Sequence, residues 1–227
     1  MSWSFRLARI LGTDVKVHFT FLLLLVYIYV STRGARGPDA ALATTAFVLG
    51  VFFCVLLHEF GHILMARRFG IRTPDVILLP IGGVARLERL ADEPKQEFLI
   101  ALAGPAVTLL IAGGLGLWLR SAGKAPIWPL MGQGVEETDL WQALFYTNVA
   151  LLGFNLIPAY PMDGGRVLRA LLATRLGMVR ATRIAASIGQ VLAMVAGVYG
   201  LTANEPMLIL IGVFVFFGAA QEAAMVE

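Results

Sequence analysis

Six apolar runs, at about residues 17–30, 40–66, 98–119, 140–157, 184–201 and 207–220, constrain this chain more than any other feature. A helix needs ~20 apolar residues to cross a bilayer at right angles, and several of these runs are somewhat shorter. Of the 227 residues 58% are hydrophobic and 15% charged, which argues against a soluble enzyme. The expected fold is an all-α polytopic membrane protein with about six transmembrane helices. No repeat, low-complexity tract or linker divides it, so residues 1–227 read as a single integral-membrane domain. Its core would lie at about 40–176, flanked by spans at 17–30, 184–201 and 207–220. The first run resembles a secretory signal but lacks a small-x-small cleavage site, and it reads as a retained span.

Charge placement sets the expected orientation. Three basic residues precede the first run, six lie between Arg67 and Lys95, and five lie between Arg166 and Arg183. The other side receives only Arg33, Arg36, Arg120 and Lys124. The positive-inside rule then puts both termini in the cytosol and turns Glu136, Glu137 and Asp139 outward. The basic residues form no stripe of the kind that binds nucleic acid, so no nucleic-acid partner is expected. A single cysteine, Cys54, excludes an intramolecular disulfide and any multi-thiolate zinc finger. Metal chemistry would have to use histidine and carboxylate.

The second run contains that chemistry. Val51-Phe-Phe-Cys-Val-Leu-Leu leads into His58-Glu59-Phe60-Gly61-His62, and the apolar pattern continues through Met65. In H-E-x-x-H on a helix, histidines four apart share a face at metal-ligand separation. The intervening Glu59 reaches a water at the metal as general base. The bland alternative is a hydrogen-bonded histidine pair in a helix bundle, but ionisable groups within a membrane are costly and usually functional. His58 lies nine residues before the basic anchor Arg67, which places it about 13 Å deeper in a helix rising 1.5 Å per residue.

Two histidines leave a catalytic zinc one protein ligand short. Asp163 fits best, because it follows the fourth run toward the same membrane face. Its setting, Asn155-Leu-Ile-Pro158-Ala-Tyr-Pro161-Met-Asp163-Gly164-Gly165, combines helix-stopping prolines with glycines that permit tight turning. Irregular backbone at membrane depth commonly lines a cavity. Asp163 could instead be only the N-cap of the following helix.

These residues resemble the site-2 protease family of intramembrane zinc metalloproteases, over nearly the whole chain. His58-Glu59-Phe60-Gly61-His62 matches the family's H-E-x-G-H, and Asn155 to Gly164 matches N-x-x-P-x-x-P-x-D-G. Leu79-Pro-Ile-Gly-Gly-Val84 and Ala103-Gly-Pro105 match its intervening segments. The resemblance implies one Zn2+ per chain held by His58, His62 and Asp163, with Glu59 catalytic. It further implies hydrolysis of a peptide bond within or beside a transmembrane segment of a membrane protein substrate, near the cytosolic side, in regulated intramembrane proteolysis. The setting implied is the plasma membrane of a prokaryote. No room exists between His62 and Met162 for the family's PDZ insert. Nucleotide-binding CBS domains would belong only to a longer parent chain, and the helix-prone end at 221–227 carries no stop signal.

Lesser candidates surround these four. Asn155, with Asn148 one heptad earlier, is the best side-chain donor to an oxyanion, against a role as interhelical glue. Val76 to Pro80 and Val84 to Leu87 flank Ile81-Gly82-Gly83 as a short hairpin, re-entrant by the family resemblance. Its edge, including Gly82, Gly83 and Val84, could hold an extended substrate by strand addition, or be only a buried turn. His18 and Cys54 read as structural, and Gly113 to Gly116 as close helix packing. Arg166 and Arg169 read as headgroup anchors beside a cytosolic water approach. Gly189, Gly197 and Gly200 could ease movement of the gating spans. A membrane metal-ion transporter using the same His/Asp site is the alternative function, disfavoured because conduction does not need Glu59. An inactive helix-binding family member is a further one.

Overall fold

The computed structural model describes residues 3–89, 91, 93–124 and 139–224. Glu136 and Glu137, expected to face outward, and the last residues 225–227 lie outside the described residues. Eleven elements follow in order: β1 (Ser4–Ile10), β2 (Thr13–His18), α1 (Phe19–Arg36), α2 (Pro38–Arg68), β3 (Asp75–Leu79), β4 (Gly82–Arg86), α3 (Pro94–Ser121), α4 (Leu140–Asn155), α5 (Asp163–Leu176), α6 (Met178–Thr202) and α7 (Pro206–Ala224). Among the described residues, four helices, α2, α3, α6 and α7, are long and apolar enough to cross a membrane. The chain forms two compact units, residues 1–89 with 106–152 and residues 90–105 with 153–227.

The first unit corrects the all-α expectation. Its four-stranded sheet has the order β1-β2-β3-β4, with β2 and β3 parallel and the other two pairs antiparallel. The expected hairpin at 76–87 is present as β3 and β4, but it is half of a larger sheet whose other half is an N-terminal hairpin. That hairpin turns at Leu11 and Gly12, both with positive φ (49° and 80°), as a two-residue primed turn demands. Leucine rarely adopts that conformation, so the turn carries no familiar Asn-Gly signal. β2 alternates strictly, burying Thr13, Val15 and Val17 while Asp14, Lys16 and His18 are less covered.

Helix α2 covers that apolar face. Val15 and Val76 pack with Leu56, Phe60 and Ile63, and Val17 and Leu78 pack with Phe21, Phe52 and Leu56. Residues 52, 56, 60 and 63 therefore form one stripe toward the sheet. At about 100° per residue His58 and His62 lie on the opposite side of the helix, whereas Glu59 sits at the stripe's margin. At the start of α1, His18 is the N-cap and its Nδ1 accepts from the Thr20 backbone N–H, the structural role expected of it. Cys54 is buried in α2. On α3, a Cβ at Gly116 would meet the Phe145 ring of α4 at 3.0 Å, so this glycine permits close helix packing.

At the far end of the sheet from His18, Asp75 ties three strands together. Its carboxylate accepts from Lys16 Nζ (2.6 Å) on β2 and Arg86 Nε (2.6 Å) on β4. The Arg86 guanidinium and then Lys16, acting against burial, hold Asp75 well below the ordinary carboxylate range, at about 2.

In the second unit, α6 packs against both α5 and α7. The approach of α6 and α7 is close: a Cβ on Gly212 would lie 2.8 Å from the Ala193 carbonyl oxygen, and one on Gly200 would lie 3.0 Å from Ile209. Three residues of the 156–162 segment are buried in this unit, Ala159 and Met162 against Ala193 and Val215, Tyr160 against Ala185, Ala186 and Ala219.

Candidate metal centre and active site

The first unit carries His58, Glu59 and His62 in the C-terminal half of a 31-residue helix. Both histidines are 7% exposed, and their Nε2 atoms converge to 3.1 Å with the rings edge to face. Two Zn–N bonds of about 2.0–2.1 Å meeting at roughly 98° would span that distance, so the pair fits a tetrahedral metal. Nε2 must then present its lone pair, which leaves the His58 proton on Nδ1. That atom lies 2.8 Å from Thr108 Oγ1 of α3, a residue only 2% exposed. Thr108 was missed in the sequence; its only signal is that it is a lone hydroxyl in an aliphatic run.

Glu59 faces β4. A Cβ on Gly83 would lie 2.7 Å from Glu59 Cγ, so only glycine lets the strand pass this close. Gly82 (φ 135°) opens β4, and Val84, 44% exposed, pairs with Ile77. β4 has one neighbour in the sheet, β3, and its other edge carries no strand among the described residues. Asn148, 1% exposed, donates to the Leu144 carbonyl within its own helix (2.8 Å), while its Oδ1 is a buried acceptor with no partner among the described residues. An acceptor is the wrong polarity to stabilise an oxyanion.

The second unit carries Asn155 and Asp163. Asn155 is the last residue of α4 and is half-buried. Asp163, 8% exposed, is the first residue of α5. The N-cap position belongs to Met162, which makes no side-chain cap, so Asp163 is not the N-cap that its sequence setting also allowed. Main-chain contacts fix this turn. A Cβ on Gly164 would lie 2.2 Å from the Ile157 carbonyl oxygen, and one on Gly165 would lie 2.6 Å from the Ala159 carbonyl carbon. The two glycines thus let the loop backbone lie directly against α5.

One turn further on, the structure corrects the reading of Arg169 as a headgroup anchor. Its guanidinium is 6% exposed, donates from Nε to Glu97 Oε1 (2.7 Å), stands 3.6 Å from Glu222 and lies over the Tyr160 ring at 5.4 Å. Arg169 instead clamps α5 to α3, α7 and the proline-rich loop. Charge alone could not reveal this, because its partners are 72 and 53 residues away in the chain.

A chain whose described residues include four helices of membrane-spanning length, one burying a convergent histidine pair with a carboxylate between, carries the donor set of an intramembrane metal centre. The family model for Peptidase family M50 matches residues 46–125 and 124–196, and the chain belongs to that family. It is 38% identical over 228 residues to a zinc metalloprotease of Methanocaldococcus jannaschii, a match covering 100% of this chain and 62% of that protein. It is 32% identical over 138 residues to stage IV sporulation protein FB of Bacillus subtilis, covering 60% of this chain and 44% of that one. The solved structure of a site-2 protease from Methanocaldococcus jannaschii superposes with a TM-score of 0.69 at 34% identity, over 97% of this chain and 95% of that chain. The chain therefore spans less than two thirds of the length of these curated relatives. With its four apolar helices, it is an integral membrane protein.

Proposed function

We propose that this chain is a zinc-dependent intramembrane endopeptidase, hydrolysing a peptide bond within or beside a transmembrane segment of a membrane protein substrate near the cytosolic side. The observation that carries this reading is the 3.1 Å convergence of His58 and His62 with Glu59 between them, in a member of Peptidase family M50. One Zn2+ is held by His58, His62 and Asp163, all of them buried. When bound, zinc supplies Lewis-acid polarisation and lowers the pKa of water.

The chain's own residues supply the rest. Glu59 takes the proton of the attacking water and passes it to the leaving amine. Asn155 donates to the developing oxyanion. The free edge of β4, past Gly82, Gly83 and Val84, accepts the substrate as an added strand, because a helical substrate hides its peptide bonds. The sheet edge beside Glu59 supports that placement.

The whole chain works as one membrane domain with six spans, α1 and α4 joining the four long helices, and the β3–β4 hairpin is re-entrant. Both termini face the cytosol of a prokaryote, at its plasma membrane. Its partners are the transmembrane substrate and the bilayer, in regulated intramembrane proteolysis. CBS domains enter only with a longer parent chain.

The test is cleavage of a model transmembrane substrate by purified protein, wild type beside Glu59→Gln, with bound zinc quantified. Loss of cleavage with zinc retained is expected. Equal cleavage, or zinc flux into proteoliposomes that survives Glu59→Gln, would overturn the protease reading, and the latter would favour the transporter.

A further inference from the structure

Strand β1 differs from the rest of its sheet. Phe5, Leu7 and Ile10 are 59%, 69% and 42% exposed, and Trp3 just before it is 65% exposed. Cross-strand partners share a face, so Phe5 opposite Val17 and Ile10 opposite Thr13 continue the apolar face that α2 covers farther in. Arg6 opposite Lys16 and Arg9 opposite Asp14 continue the charged face, and a bulge between Arg6 and Ala8 sets Leu7 apart. The apolar face thus runs beyond its helical cover.

Both ends of the hairpin are tied to helix ends, one to the start of α1 and the other to the last turn of α2. Ser4 pairs with His18, the residue before α1 begins, and the Trp3 ring lies 6.3 Å from that of Phe19. At the turn, Arg67 in the last turn of α2 donates to the Leu11 carbonyl. The strand therefore lies beside the first residue of α1 and the last turn of α2. Arg6 and Arg9 are 62% and 67% exposed along their side chains and reach Asp14 only at 3.8 and 3.7 Å, which leaves their guanidinium donors available.

We propose that β1 is an interfacial membrane anchor, with Trp3 and Phe5 inserted at the headgroup–acyl boundary and Arg6 and Arg9 bonded to lipid phosphates. The chemistry is that of an amphipathic interfacial element: aromatic rings at the boundary and arginine forks on phosphate, here on a strand rather than a helix. Because β1 shares its sheet with β4, this anchor would fix the height of the strand beside Glu59 relative to the bilayer. The inference rests on the membrane placement proposed above.

Nitroxides at Phe5→Cys, Arg9→Cys and Phe53→Cys, each in a Cys54→Ala background and reconstituted in phosphatidylcholine vesicles, test both. Phe53 on α2 is 60% exposed and reports the span itself. At positions 5 and 53, relaxation by oxygen should exceed relaxation by a water-soluble nickel chelate, and at position 9 the order should reverse. Oxygen-dominated relaxation at 53 with chelate-dominated relaxation at 5 would overturn the anchor and leave the span intact. Chelate-dominated relaxation at 53 would overturn the membrane placement and the anchor with it.

Discussion

Replacing Thr108 by valine keeps the shape of a fully buried side chain and deletes one oxygen. In the wild type that oxygen stands 2.8 Å from His58 Nδ1, which must carry the proton if Nε2 is to meet a metal. Valine leaves the buried N–H without this acceptor, and an unmet buried donor costs about 1–3 kcal/mol. At 1.4 kcal/mol per decade, the lower part of that range already weakens zinc binding by about tenfold, and the usual span for losing a ligand's hydrogen-bond partner is about 10- to 100-fold. Part of the loss comes from the metal-free protein being free to adopt the other tautomer. The assay is competition for zinc between purified protein and a chelator of known affinity at fixed pH, on wild type, Thr108→Val and Thr108→Ser. Serine retains the oxygen and should stay within a few-fold of wild type, which separates the hydrogen bond from packing. If the valine protein binds zinc as tightly as wild type, Thr108 does not orient His58 and the tautomer argument fails.

Three further outcomes are expected. Gly83→Ala drives a Cβ to 2.7 Å from Glu59 Cγ, so cleavage should fall by at least about tenfold while bound zinc, measured by elemental analysis, stays near one per chain; unchanged turnover would mean the strand yields. Asp75 has a folded pKa of about 2 against 3.8 in the unfolded chain, so it adds on the order of 2 kcal/mol above pH 4 that disappears as pH falls toward 2. Thermal melts from pH 5 to 2 should show that loss in wild type and not in Asp75→Asn, and equal slopes would refute it. Arg169→Gln strips the buried Glu97 of its partner and should cost about 3–5 kcal/mol; Glu97→Gln in the same chain should restore part of it, and a melt unchanged by Arg169→Gln would show that the clamp contributes nothing.

The parts legible in the sequence were those written locally. His58-Glu59-x-x-His62 is fixed by helical spacing, and the helix runs where the apolar pattern put it. The Gly164-Gly165 pair read as a tight turn, but both glycines lie within α5 and serve close approach of the 156–160 backbone instead. What escaped were features made by distant partners. β2 alternates on a period of two, but a bulge breaks the period in β1, Leu11 in a glycine-like conformation hid the turn, and charges at Arg6, Arg9 and Lys16 read as orientation signals before they read as a sheet face. Thr108 is one hydroxyl among aliphatic residues until His58, 50 residues earlier, is laid beside it. Arg169 looks like any basic residue near a membrane until Glu97, Tyr160 and Glu222 close round it.

The parallel pairing of β2 with β3 also bears on how the protein is made. Thr13 and Thr73, which share a hydrogen bond, are sixty residues apart, and both α1 and α2 lie between them. During synthesis β2 emerges early and waits: its inner partner β3 cannot arrive until both α1 and α2 have been made. Non-local strand pairing of this kind is slow because the loop must close before any contact rewards it. Glu59 is therefore inserted before Gly83 can cover it, and Asp163 leaves the ribosome later still. The nascent chain thus releases Glu59, Gly83 and Asp163 one after another, so the residues proposed above to act together can meet only late in synthesis.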